Sequence, residues 1–158
     1  MEPIVQLNSN AKLSEHFKLG EFNKSNHPEV YNIPSHEAIA NLKRLCGWLE
    51  VLRKRYNEKY GVGEEPIRIN SGYRSAQLNK KVGGVAGSNH VTGCAVDIKV
   101  LGVVQLIRYA NILLDYADES KQDFDELLIE KNRYGAIWLH FAVRPFSNRR
   151  KVNFLGPK

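Results

Sequence analysis

The sequence predicts an α+β fold: an antiparallel sheet with helices packed on one face. Three observations carry that prediction. Two long segments repeat apolar residues at three- and four-residue spacing, and four short segments have the apolar pattern of strands. The two kinds of segment do not follow one another as strict βαβ units, which disfavours a parallel sheet. With 158 residues, 42% of them hydrophobic and 25% charged, the chain can bury one core and reads as a single domain over 1–158.

Taken in order, "NIPSHEAIANLKRLCGWLEVLRKRYNEKYG" is the first long helix. Pro34 and Ser35 start it, Ala38, Leu42, Leu45, Leu49, Leu52 and Tyr56 form one stripe, and Gly61 and Gly63 end it. "PIRIN" alternates Ile67 and Ile69 with Arg68 and Asn70, a short strand. "SAQLNKKV" is a short helix and "VGGVAGS" a glycine-rich loop. "CAVDIKV" is the second strand and "VVQLIRYANILLDYA" the second long helix. "FDELLIE" and "AIWLHFAV" are two further strands joined by the polar loop "KNRYG".

Strand side chains alternate between faces. In "CAVDIKV" the residues Val96, Ile98 and Val100 share one face, and Ala95, Asp97 and Lys99 the other. In "AIWLHFAV" Ile137, Leu139, Phe141 and Val143 are the apolar set, which turns Trp138, His140 and Ala142 the opposite way. If both apolar sets face the helices, Asp97 and His140 look out from one open side of the sheet. His90 precedes Asp97 by seven residues, roughly 23 Å of extended chain. Two ligands of one zinc cannot stand so far apart, so "VTG" must turn the chain back, with Gly93 free to take a positive φ. Two imidazoles and one carboxylate would leave a fourth position open, the form of a catalytic zinc site. Singly these residues say little: a lone histidine is commonly a surface or core residue, and Asp97 could be a turn or ion-pair residue. Cys94 reads as a small core side chain, or as a thiol beside a metal. His16, His27 and His36 have no comparable context.

The net charge is +6, with basic residues gathered in "VRPFSNRRKVNF". That suits either a solvated tail or a polyanionic partner, nucleic acid or an anionic wall polymer. No recognition helix, finger spacing or RNA-binding signature supports nucleic acid, so none is expected as a partner. No apolar run approaches the roughly 20 residues of a membrane span, and the N-terminal residues lack the pattern of a secretory leader. A cytoplasmic location is the default expectation. Cys46 and Cys94 form no disulfide framework.

"SGYRSAQLNKKVGG", "SNHVTGCAVDI", "ELLIE" and "IWLH" occur in that order. Together they resemble the D-Ala-D-Ala carboxypeptidase-like zinc metallopeptidases, whose fold is shared with the hedgehog signalling domain. "LSEHFKLGEF" and "NRR" resemble short bacterial and phage members. The resemblance implies a hedgehog/DD-peptidase-like fold and one zinc held by His90, Asp97 and His140. It also implies that Arg74 binds substrate and steadies the developing oxyanion, and that Ser88 lines the substrate site. Many members carry the catalytic carboxylate three residues before the last histidine, where this chain has Ile137. A hedgehog-like pattern places it instead at Glu130; a plain solvent-exposed strand end is the other reading of that residue. Glu126 shares the face of Glu130 but lies about 13 Å back along the strand, out of reach of the same water.

The expected activity is hydrolysis of peptidoglycan stem peptides at or near a D-amino acid, as carboxypeptidase or endopeptidase. The expected form is a monomer, reaching the wall through a pore or within a phage lysis system. The alternative is a zinc-bearing, catalytically weak binding module of the same fold, for cell wall or a protein partner.

Overall fold

The computed structural model describes residues 9–157. The first part of the segment read for a leader, residues 1–8, lies outside the described residues. The described residues form four helices: α1 (Gly20–Asn23), α2 (His36–Tyr60), α3 (Ala76–Lys81) and α4 (Val103–Ser120). Five strands, β1 (Ile69–Ser71), β2 (Ala95–Lys99), β3 (Glu126–Lys131), β4 (Ile137–Ala142) and β5 (Lys151–Leu155), make one sheet in the order β1-β2-β4-β3-β5.

The helix α2 forms where the stripe predicts it. Ser35 caps it by accepting from the amide of Ala38. Ala38, Leu42, Leu45, Leu49, Leu52 and Tyr56 are all buried, each leucine contributing about 1.5–3 kcal/mol. On α4, Leu106, Tyr109, Leu113 and Ala117 are the matching buried face. Tyr56 and Tyr109 meet edge to face at 5.0 Å and tie the two helices together. Trp48 of α2 packs on Phe124 and Phe141, which anchors the helices to the sheet. Val96, Ile98, Leu127, Leu139 and Phe141 supply the sheet side of this core.

The sheet is mixed, which corrects the expected antiparallel one. β1–β2, β2–β4 and β4–β3 are antiparallel, but β5 joins β3 in parallel, with Glu126 beside Lys151 and Glu130 beside Leu155. β5 comes from the basic run that could have been a solvated tail. Its Val152 and Phe154 stay exposed, so backbone pairing rather than apolar burial holds it, and hydrophobic patterning gives little sign of it. β1 also differs in extent: it covers Ile69–Ser71 rather than starting at Pro66, which has no amide to give to a ladder.

The second face of the sheet carries Asp97, His140, Leu128, Glu126 and Glu130. It is roofed by the stretch from Gly72 to Gly93, which holds α3 and a 3-10 turn, Asn89–Thr92. Two glycines let that roof come close. Gly93 ends the turn at φ +77°, and a Cβ there would stand 2.5 Å from the carbonyl oxygen of Ala38. At Gly72 a Cβ would meet the Phe22 backbone at 2.8–2.9 Å.

Candidate metal centre

Asp97 and His140 are direct partners in the β2–β4 ladder, so alternation alone puts them side by side. His90 arrives from the roof. Ser88 caps the 3-10 turn by accepting from the amide of His90. Gly93 then sends the chain back into β2, the reversal that the seven-residue spacing requires. Each of the three residues offers one ligand atom, and these lie within 4.8 Å of one another.

The donor atoms can be assigned from their contacts. Asp97 Oδ1 lies 3.4 Å from His90 Nε2 and 3.1 Å from His140 Nδ1. Ligands of a tetrahedral zinc, each bonded at 2.0–2.2 Å, stand about 3.4 Å apart. The second nitrogen of each ring is engaged elsewhere. His90 Nδ1 faces the Gly72 carbonyl at 2.7 Å and His140 Nε2 faces Glu126 Oε1 at 2.9 Å. Both partners are acceptors, so each ring can keep a proton there while its other nitrogen, once a metal displaces the proton it shares with Asp97, offers a lone pair to the ion. Such a donor set, two imidazoles and a carboxylate with fixed tautomers, fits zinc.

The electrostatics agree. Burial would raise Asp97, but the charge of His90 and hydrogen bonds from His140 and His90 outweigh it and hold the carboxyl well below its usual range. Burial would lower His140, yet hydrogen bonds to Asp97 and Glu126 push it up to about 9. Positive charge is favoured at this point of the protein, and a metal cation would provide it.

Arg74 is fixed beside the triad. It donates from Nε to Ser71 Oγ at 3.3 Å, from Nη1 to Asn79 Oδ1 at 3.2 Å and from Nη2 to Asp97 Oδ2 at 3.4 Å. One N–H on each terminal nitrogen is left over. Glu130 is buried, not an exposed strand end, and accepts from Trp138 Nε1 at 2.6 Å. Arg74, Ser88, His90, Glu126, Glu130 and His140 all line one open cleft of about 400 Å³.

The sequence pattern of the peptidase M15 family matches residues 15–125, which is most of the chain. The chain belongs to the peptidase M15 family. The matched stretch includes Arg74, Ser88, His90 and Asp97; Glu126, Glu130 and His140 lie beyond it. The chain is also similar to the zinc D-Ala-D-Ala carboxypeptidase of Streptomyces albus G, with 40% identity over 40 residues. That stretch is 25% of this chain and 16% of the length of that relative. No helix among the described residues is long and apolar enough to cross a membrane.

Three features of this M15 family member were not read from the sequence. Glu126 touches His140, although its distance from Glu130 along β3 had set it aside. Trp138, placed on the correct face by alternation, holds Glu130; Glu130 is its partner across the hairpin. Asp125, with 0% exposure, binds Arg149 through both carboxylate oxygens and accepts from Asn89 Nδ2 at 2.8 Å. Cys94 is not in the ligand group; burial raises its thiol pKa and keeps it protonated. His16 is paired with Glu50 at 2.6 Å, away from the site.

Proposed function

We propose that the protein is a zinc-dependent peptidase that hydrolyses peptidoglycan stem peptides at or near a D-amino acid. The observation that carries this reading is the convergence of His90 Nε2, Asp97 Oδ1 and His140 Nδ1 in an open cleft beside a buried carboxylate. Family membership supports the peptidase class, and the named relative supports zinc and D-amino acids. The hedgehog/DD-peptidase-like arrangement belongs to the same proposal.

Zinc held by these three residues would polarise the scissile carbonyl and acidify a water. The chain supplies the rest. Glu130 uses one oxygen on Trp138 and keeps the other free for a proton, which it takes from the attacking water and returns to the leaving amine. Arg74, clamped at three nitrogens, directs its two spare N–H groups at the oxygen that gains charge or at a terminal carboxylate. Ser88 retains its hydroxyl proton for the substrate while its oxygen caps the turn. The binding-module reading lacks a use for a buried, half-satisfied glutamate at the cleft wall.

The test is incubation of the zinc-loaded protein with purified muropeptides, read by mass spectrometry. Glu130→Gln keeps the Trp138 hydrogen bond and the zinc, and its turnover should fall at least a hundredfold. An unchanged rate for that variant would remove Glu130 as the base. No cleavage by the parent protein would favour the binding module. Delivery through a pore or within a phage lysis system is part of the proposal, checked by lysis of cells expressing the chain with and without a pore-forming partner.

A further inference from the structure

The cleft has a wall that none of these roles uses. Reading across the sheet, Arg74 stands at β1 and β2, the triad at β2 and β4, Glu126 and Glu130 on β3, and Lys151 on β5. Lys151, Arg149 and Arg144 line the same cleft as the two histidines. The three cations come from the basic run that the fold turns into a strand. Arg150, between two of them, points away to Asp123 and Asp118, both at 2.7 Å. Its φ of +48°, unusual for a non-glycine residue, accompanies that split.

The wall has positive charge to spare. Arg144 and Arg149 share one buried carboxylate, Asp125, at 3.2 and 2.8 Å, and Arg149 also lies 3.4 Å from Glu126, so the three cations face two carboxylates. The bonds from Arg149 use Nε and Nη2, which leaves Nη1 without a bonded partner among the described residues. Lys151 makes no side-chain hydrogen bond or ion pair among the described residues. Three strand spacings separate β2 from β5, about 14 Å, or roughly four residues of extended peptide. A peptide held with its scissile bond at the triad, on β2 and β4, would therefore bring a group about three to four residues away against this wall.

We propose that Arg144, Arg149 and Lys151 form an anion subsite that takes a carboxylate of the bound peptide, so that the favoured substrates are acidic peptides. Arg144 and Arg149 are rigid, held by Asp125 and, for Arg144, by Asn89 at 3.0 Å. Lys151 is the adaptable member, exposed at the rim. The inference rests on the peptidase reading for the position of the scissile bond, but not for the presence of the charge.

The experiment uses two peptides identical except that the carboxylate of one acidic residue is an amide. Zinc-loaded protein is compared with Lys151→Gln, a substitution at an exposed side chain that the fold tolerates. The parent should prefer the acid peptide by about tenfold or more in kcat/KM, mainly through KM. Lys151→Gln should narrow that ratio by about fivefold, the upper range for one exposed charge pair. Added salt should narrow it for both proteins. Calorimetric binding of the two peptides reads the same preference without turnover, so a protein that binds the acid peptide selectively but cleaves neither refutes the peptidase reading and keeps the subsite. Equal handling of acid and amide by the parent, or an unchanged ratio in Lys151→Gln, would mean that Lys151 merely protects a sheet edge and would overturn the proposal.

Discussion

Replacing Glu126 by alanine should weaken zinc binding without unfolding the protein. Glu126 Oε1 accepts from His140 Nε2 at 2.9 Å and from Asn89 Nδ2 at 2.8 Å, and Oε2 lies 3.4 Å from Arg149. Asn89 and Arg149 both keep Asp125 after the change, so the loss falls on His140. A buried ring nitrogen left without an acceptor costs about 1–3 kcal/mol. Loss of an outer partner of a metal-binding histidine typically lowers affinity ten- to a hundredfold, which converts to about 1.4–2.7 kcal/mol. The two figures agree. Competition with a chelator of known affinity measures the effect, and circular dichroism of each metal-free variant checks the fold. Glu126→Gln retains a carbonyl acceptor for Nε2–H and should recover most of the affinity. Parent-like affinity in Glu126→Ala would refute the reasoning. A glutamine variant as weak as the alanine one would show that the charge matters and the orientation does not.

Three more outcomes are expected. Elemental analysis should find one zinc per chain, and chelation should lower the melting temperature reversibly, since a ligand at a thousandfold its Kd stabilises by about 4 kcal/mol; full retention by an Asp97→Ala/His140→Ala double variant would contradict the ligand set. Arg74→Ala should keep its zinc while turnover falls about a hundredfold, the loss typical of one oxyanion donor. Burial would raise Asp125, but hydrogen bonds from Arg149 and Asn89 lower it below its ordinary 3.8. Its stabilising contribution is therefore complete above about pH 4 and is lost as pH falls through the lower folded value. In urea titrations Asp125→Asn should lose up to about 3 kcal/mol at neutral pH, the low end for a buried pair because Arg149 is half exposed, and should show a shallower acid limb.

Much of the site was legible because it depends on alternation. The face assignments of Asp97, His140 and Trp138 follow from two strands whose apolar sets must meet α2 and α4, and the ladder pairs Asp97 with His140 as that logic demands. His90 was legible through a contradiction: seven extended residues are too long, so a turn had to intervene, and Gly93 marks it. Glu126 was missed because its separation from Glu130 was measured along one strand. Across the hairpin it stands opposite Ala142, two residues from His140, and a glutamate side chain spans such a diagonal. β5 was illegible for a different reason. Its pattern Lys151-Val152-Asn153-Phe154-Leu155 alternates, but Val152 and Phe154 bury little, so composition pointed to a tail while the free edge of β3 supplied the pairing.

The two glutamates of β3 show how one strand can separate two tasks. They share a face, yet their surroundings leave them with different capacities. The carboxylate of Glu126 faces three donors, and the hydrogen bond from His140 leads in holding it down at about 2. A carboxylate that ionised and that occupied is a poor proton acceptor; its strength lies in fixing the ring of His140. Glu130 has a single donor, Trp138, and opens its other oxygen on the cleft. The register explains the difference. Glu126 faces the end of β4, where the Asn89 turn and the Arg149 segment close over the sheet. Glu130 faces the hairpin end, where the cleft stays open. The departure at Ile137 then has a physical account within the proposed mechanism: its side chain belongs to the core set of β4, and the proton acceptor proposed in its place, Glu130, stands on the neighbouring strand, where Trp138 orients it without saturating it.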